Sequence, residues 1–218
     1  ELMSLISYIL INFYNDSNST VKDTSFHIFL INKFGDVCFL IGMIISAAYL
    51  NTFNFKQGLQ YFQIFNMQLS DIFIIFMLIS ASVKSAQFGF MRWLTNAMIA
   101  PTPASAFLHG ATIVSAGVFL LARIESIYQF KYQSIVFALY FFISALFAAA
   151  LSLKENDIKK ILAYSTICKI SFMLFACLMG NVIIAILFFV IHAFEKCLLF
   201  FCAGNVSKAL SNERDITK

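Results

Sequence analysis

The sequence predicts an all-α membrane protein, built as a bundle of spanning helices. Of its 218 residues, 61% are hydrophobic and only 12% are charged, whereas a soluble domain carries roughly 25% charged residues. Several apolar segments reach the roughly 20 residues that a helix needs to cross a bilayer. A soluble core of this size could not enclose so many Leu, Ile and Phe side chains, so we expect lipid to cover much of the surface.

Seven apolar segments divide the chain. They cover residues 1–14, 26–50, 67–83, 103–123, 132–153, 158–179 and 182–206. The first is too short to span a bilayer unless it extends upstream. Pro101 and Pro103 lie at the start of the fourth, where proline is tolerated, and Gly180 follows the sixth as a typical helix end. We expect a bundle of seven helices, the first incomplete and the third broken, forming a single transmembrane domain over residues 1–218.

The third segment is predicted to break just after Lys84. Ser85, Gln87 and Gly89 follow this lysine. Such residues can open a helix and leave backbone groups for water or polar side chains. We expect the interruption within about four residues of Gly89, which is the usual error of such boundaries.

Ionisable side chains in or beside the apolar segments are the candidates for function. Each costs about 2.5–3.5 kcal/mol on insertion scales, so each should have a partner or a role. The candidates are Glu1, Lys33, Asp36, Lys84, His109, His192, Glu195 and Lys196.

Helical spacing suggests partners for several of these groups. Lys33 and Asp36 are three residues apart, so they share a helix face and can neutralise each other. A structural ion pair and a transport role are both open for them. His192 and Lys196 also share one face, and Glu195, which is adjacent to Lys196, could satisfy it.

Lys84 and His109 have properties that suit proton transfer. A lysine at a helix end can extend its ammonium group towards water. If it is buried at a helix break, it can instead load and release a proton, because burial disfavours the charged form and a nearby carboxylate favours it. His109 lies in mid-segment without an acid nearby in sequence, so a hydrogen-bonded core histidine and a proton carrier are both open.

Composition argues against nucleic-acid, metal and disulfide chemistry. The net charge of +4 is scattered, without the Lys/Arg cluster of a nucleic-acid surface. No Cys-X-X-Cys pair occurs, and the cysteines sit in apolar runs at Cys38, Cys168, Cys177, Cys197 and Cys202. We expect neither a metal nor a cofactor in this chain, and no nucleic-acid partner.

Several motifs resemble the antiporter-like subunit 5 of respiratory complex I. Residues 84–88 with 92–94 are similar to its lysine-bearing broken helix, and residues 101–123 to its most recognisable stretch. Further similar motifs are found at 32–36, 157–166, 192–196 and 213–216. Their order and spacing agree across nearly the whole chain.

The resemblance implies a fold of two inverted repeats, each with a discontinuous helix. It also implies a proton-transfer role for seven residues. Glu1 and Lys84 would form a modulating pair that Lys33 and Asp36 support, and protons would pass from His109 towards His192 and Lys196.

The same resemblance implies a multi-pass protein of the mitochondrial inner membrane, acting as part of the NADH:ubiquinone oxidoreductase. The chain would do no redox chemistry, because NADH, FMN, the iron–sulfur clusters and ubiquinone belong to other subunits. Its expected partners are lipids, other membrane subunits of complex I, and a companion chain or segments supplying helices before Glu1 and after Lys218.

Three alternatives stay open: a subunit of a multi-subunit cation/proton antiporter, the plastid-type homologue, and a structural spacer that no longer pumps. Phe188 and Glu195 stand where the family often has histidine and phenylalanine. Because of these departures, the structural-spacer alternative is retained.

Overall fold

A computed structural model describes residues 2–13, 19–50, 67–110, 112–128, 132–211 and 213–217. In chain order its helices are α1 (Leu2–Asn12), α2 (Ser19–Leu50), α3 (Met67–Lys84), α4 (Met91–Asn96), α5 (Thr102–Gly110), α6 (Ala116–Arg123), α7 (Glu125–Tyr128), α8 (Tyr132–Ser152), α9 (Ile158–Leu178) and α10 (Val182–Ala209). A short 3₁₀ helix, Ala97–Ile99, follows α4.

Four of the described helices are long and apolar enough to cross a bilayer: α2 over Val21–Ala48, and the whole of α8, α9 and α10. Large apolar side chains on their outer faces are exposed, as Leu139 at 57% and Ile183 at 76% illustrate. Lipid rather than water suits such a surface. The predicted all-α membrane fold is confirmed, and each of the seven predicted segments contains a helix.

The predicted break in the third segment is confirmed. α3 ends at Lys84 and α4 begins at Met91. Between them Ala86 and Gly89 take φ values of 51° and 89°, a region that does not continue a right-handed helix and that favours glycine. The chain therefore turns directly after Lys84.

Two side chains hold the segment between α3 and α4. Trp93 is buried and donates a hydrogen bond from Nε1 to the carbonyl of Val83 at 2.9 Å. The hydroxyl of Tyr140, on α8, donates to the carbonyl of Phe88 at 2.6 Å. The bond from Trp93 satisfies the carbonyl of buried Val83, which would be costly to leave without a donor.

The prediction of one continuous fourth segment over 103–123 is wrong. α5 ends at Gly110 and α6 begins only at Ala116. Glycine is a weak helix former, and hydroxyl groups compete with the helix for backbone carbonyls. Thr112 Oγ1 donates to the carbonyl of Phe107 at 2.8 Å, and Ser115 Oγ donates to that of Thr112 at 3.0 Å.

The two helix breaks contact each other. Ser85 Oγ, from the first break, donates to the carbonyl of Val114, in the second, at 2.9 Å. Gly117 lets α6 approach this place closely. A Cβ atom at Gly117 would meet the Ser85 hydroxyl and would lie 2.8 Å from the carbonyl oxygen of Ala81. The packing of α6 on α3 therefore depends on this glycine.

Candidate functional site

Lys84 forms an ion pair with Asp36. Lys84 ends α3, and its Nζ lies 2.7 Å from Oδ1 of Asp36 on α2. The two side chains are only 12% and 7% exposed. Ser4, on α1, donates its hydroxyl to the other carboxylate oxygen of Asp36 at 2.7 Å. Three helices thus meet at a single buried carboxylate beside the first helix break.

Lys33 and Glu1 were also predicted to act together with this ion pair. Lys33 was suggested as the partner of Asp36 by helical spacing, whereas Lys84 reaches the same acid from a different helix. The Nζ of Lys33 lies 5.5 Å from the centroid of the Phe29 ring, over its face, a favourable place for a cation. Glu1 lies outside the described residues, so its pairing with Lys84 stays a prediction.

A cleft of about 410 Å³ lies beside the ion pair, between α2, α3 and α6. Lys84, Asp36 and Arg123 contribute charged groups, and Phe39 and Leu120 are among its apolar lining residues. The lining is otherwise largely apolar, so the ion pair borders a space that is polar only near these charged groups.

The break after Lys84 also places the side-chain amide of Gln87 where the broken helix meets α8 and α9. Gln87 is fully buried, and its Nε2 donates to the carbonyl of Ser85 at 2.8 Å. Its Oε1 lies 2.6 Å from the hydroxyl of Ser144 on α8 and 2.7 Å from that of Ser171 on α9. This buried polar cluster fixes the broken helix against two spanning helices.

Two histidines are fully buried where α5 packs against α10. His109 is on α5 and His192 is on α10. Neither ring nitrogen of either residue has a hydrogen-bond partner among the described residues. Gly110 allows the close approach, because a Cβ atom there would lie 2.6 Å from Sγ of Cys197. Buried imidazole nitrogens without fixed partners can exchange protons with water or with other groups.

Lys196 is also buried, at 1% exposure. Its Nζ donates to the carbonyl of Leu162, at 3.3 Å, and to the hydroxyl of Ser165, both on α9. The prediction that Glu195 satisfies Lys196 is wrong, because Glu195 pairs with Lys169 of α9 instead. Successive residues on a helix do not face each other.

Sequence reasoning missed two lysines of α9. Lys169 lies in the middle of an apolar run, which is the signal that singled out the other charged candidates. Lys159 is 3% exposed, and its Nζ donates to the carbonyl of Ala100 at 3.0 Å. Lys159 therefore anchors the loop before α5, and it has a structural partner that the sequence does not suggest.

The described residues contain no group of three or more His, Cys, Asp or Glu side chains placed to hold a metal ion. The titratable groups buried here are an ion pair at the first helix break and, where α10 contacts α5 and α9, two histidines and a lysine. Such groups can bind and release protons.

A bundle with a broken, lysine-bearing helix and buried titratable groups defines a class of ion-translocating membrane proteins. The chain belongs to the NADH:quinone oxidoreductase/Mrp antiporter family, whose transmembrane model matches residues 1–218.

Relatives and a solved structure agree with this assignment. The chain is 37% identical over 228 residues to NADH-ubiquinone oxidoreductase chain 5 of Paramecium tetraurelia, covering 100% of this chain and 40% of the relative. It is 37% identical over 228 residues to NADH-quinone oxidoreductase subunit L of Rickettsia conorii, covering 100% and 34%. It matches the structure of the Mrp complex from Dietzia sp. DQ12-45-1b with a TM-score of 0.88 and 26% identity, covering 94% of this chain and 23% of that one.

The resemblance seen in the sequence motifs is thus confirmed. The chain spans between about a third and two fifths of the length of these curated relatives.

Proposed function

We propose that this chain forms part of the proton-translocating subunit 5 of a NADH:ubiquinone oxidoreductase in the mitochondrial inner membrane. Residues 1–218 would act as one transmembrane domain, a partial antiporter-like module. The observation that carries the proposal is the buried Lys84–Asp36 pair at the end of a broken helix. The similarity to chain 5 of Paramecium tetraurelia supports the choice of complex.

In the proposed mechanism, Lys84 loads and releases the proton. A carboxylate near its ammonium group favours the charged form, and withdrawal of the carboxylate favours the neutral amine. Asp36 is one such carboxylate, and Glu1 is proposed as the second. Quinone reduction elsewhere in the complex would drive the change of partner, and the chain itself would break no covalent bond of a substrate.

The proton released from Lys84 would pass through water to an imidazole nitrogen of His109, and from there to His192 and Lys196. The free ring nitrogens of both histidines support this route, since each can accept a proton on one nitrogen and release one from the other. Lys33 would assist electrostatically at the entry. Each proton moved against the membrane potential requires about 2.3 kcal/mol per 100 mV.

Other membrane subunits of complex I, lipids, and further helices before Glu1 and after Lys218 are the proposed partners. NADH, FMN, iron–sulfur clusters and ubiquinone would act in other subunits. The relatives named NADH-ubiquinone oxidoreductase chain 5 support this division, since their names place them within such an enzyme.

The proposal is tested by replacing Lys84 in the assembled complex. We expect Lys84→Ala to remove most proton pumping while quinone reduction continues, because the site that loads the proton is gone. Lys84→Arg should fail as well, since guanidinium stays charged near neutral pH. The measurement is the proton-to-electron ratio in vesicles, with Lys154→Ala, a change at an exposed loop lysine, as the control.

Pumping by Lys84→Arg at the wild-type ratio would make Lys84 a fixed structural charge and would contradict the mechanism. Wild-type pumping by Lys84→Ala would favour the spacer alternative.

A second candidate is a subunit of a cation/proton antiporter, favoured by the close fit to the Mrp complex structure. The two candidates differ in what drives the protons. An antiporter subunit would move protons in response to a sodium gradient across vesicles that contain neither NADH nor quinone. The complex I subunit would move them only while quinone is being reduced.

A further inference from the structure

An ion pair links the middle of α9 to the middle of α10. Lys169 Nζ contacts Oε1 of Glu195, and each residue lies near the centre of its spanning helix. The two side chains are 30% and 39% exposed. A charged side chain at this depth has a high free-energy cost unless an opposite charge compensates it. Lys169 and Glu195 compensate each other in this way.

The pair lies beside Lys196. Ser165, whose hydroxyl accepts a hydrogen bond from Lys196, precedes Lys169 on α9 by four residues, which is about one helical turn. Glu195 is next to Lys196 on α10, and His192 lies one turn before Lys196 on the same helix. Two lysines, one carboxylate and one imidazole therefore occupy neighbouring positions on the two helices.

The two lysines have different partners. Glu195 is engaged by Lys169, whereas Lys196 is held by a carbonyl and a hydroxyl group, which are both neutral. Lys169 thus has a carboxylate in contact, whereas the hydrogen bonds that Lys196 makes among the described residues go to neutral groups. If Glu195 did not bind Lys169, a protonated Lys196 would face a second uncompensated cation in a region of low dielectric constant, where repulsion is strong.

We propose that Lys169 and Glu195 are positioning residues for the proton step between His192 and Lys196. Glu195 neutralises Lys169, so that Lys196 is the lysine of this cluster that exchanges a proton. In this step one proton moves between Nζ of Lys196 and a ring nitrogen of His192, while Lys169 stays cationic and Glu195 stays anionic. The inference rests on the proposed function and adds two residues to it.

The titratable groups around Lys196 come from three helices. They are Glu195 and His192 on α10, Lys169 and Cys168 on α9, and His109 on α5. Among them, Lys169 and Glu195 are the pair of opposite charges in contact, so changing either one alone alters the net charge beside Lys196 by one unit.

The test is a double-mutant cycle in the assembled complex. Lys169→Gln, Glu195→Gln and the double variant are reconstituted in vesicles, and the proton-to-electron ratio is followed from acid to alkaline pH. Quinone reduction is measured in parallel as the check on assembly. The matched control is the surface pair Lys160–Glu155, whose charged atoms lie 3.9 Å apart, changed to Gln in the same way.

The two single variants should shift the pH profile in opposite directions. Glu195→Gln leaves an extra cation, which disfavours proton loading and moves the profile to lower pH. Lys169→Gln leaves an extra anion and moves it to higher pH. We expect each shift to reach about one pH unit, as for other neighbouring charges. The double variant should return the profile towards that of the wild type, and the control variants should leave it unchanged.

Shifts in the same direction, wild-type profiles in both single variants, or a double variant that stays shifted would overturn the inference. If a single variant fails to assemble, the inference is tested with the neutral double variant and with the charge-exchanged variant that combines Lys169→Glu with Glu195→Lys. The pH profile of the proton-to-electron ratio is measured for both. Wild-type profiles in both support compensation, whereas shifted profiles or lost assembly overturn it. If Lys84→Ala still pumps, the proposed function is wrong; if it does not pump and the cycle shows no coupling, only this inference is wrong.

Discussion

Replacing Asp36 by Asn provides a direct test of the Lys84 site. The change removes the negative charge and keeps the size of the side chain. The Ser4 hydroxyl, which donates to Oδ2 at 2.7 Å, can still donate to the amide oxygen. Lys84 then remains beside a neutral group, within a site where its side chain is only 12% exposed.

Two energies decide what Lys84 does in this variant. Removing one partner of a buried ion pair costs about 3–5 kcal/mol if the other partner stays charged. A lysine in water needs about 4.6 kcal/mol to give up its proton at pH 7. Because the two values are similar, the variant should lose about 3–5 kcal/mol of stability whether Lys84 stays charged or gives up its proton. The Asp36→Asn site thus lacks the carboxylate that favours the charged form of Lys84.

The assay is the proton-to-electron ratio in vesicles, measured over a range of pH. We expect Asp36→Asn to pump at about half the wild-type ratio or less, because the carboxylate that favours proton loading at Lys84 is gone. Asp23→Asn, an exposed position on the same helix, is the control. A variant that pumps at the wild-type ratio with an unchanged pH profile would refute the assignment of Asp36 to Lys84.

Four further changes test other contacts. Gly117→Val should lower the temperature of heat inactivation of the complex, because the new side chain meets the Ser85 hydroxyl and overpacking costs about 1–3 kcal/mol; an unchanged temperature would contradict the close packing of α6 on α3. The Gln87→Leu variant should be about 1–3 kcal/mol less stable than the wild type, since the Ser85 carbonyl loses its donor. Stability equal to that of the wild type would argue against the buried polar cluster. The Trp93→Phe variant should lose at least as much stability, because the Val83 carbonyl loses its donor and the smaller ring leaves a cavity at a fully buried site; unchanged stability would contradict the role of Trp93 in holding the break. His109→Phe should assemble and reduce quinone without pumping, because it keeps an aromatic ring but has no nitrogen; full pumping would remove His109 from the route.

Much of the fold could be predicted from the sequence, because a bilayer allows few alternatives to long apolar helices. The break after Lys84 was predictable too, since a charged residue, two polar side chains and a glycine follow one another closely from Lys84 to Gly89. The second break was not. Residues 111–115 remain largely apolar, and one cause of the break is tertiary: a hydroxyl of the first break binds the carbonyl of Val114.

The candidate residues could be found from the sequence, but several of their partners could not. Charged residues in apolar runs are visible one by one, and helical spacing relates only residues on the same helix. Asp36 reaches Lys84 across a helix interface, and Glu195 reaches Lys169 in the same way. Such pairs depend on how helices are rotated against one another, and packing decides that rotation.

The contact between the two breaks gives a physical reason for finding Lys84 and His109 in one module. Lys84 ends α3 immediately before the first break, and His109 lies one residue before the end of α5, just before the second. The hydrogen bond from Ser85 to the carbonyl of Val114 ties these two helix ends together. In the proposed mechanism, a movement of Lys84 towards or away from a carboxylate would therefore be passed on to Val114 and the start of α6, beyond His109.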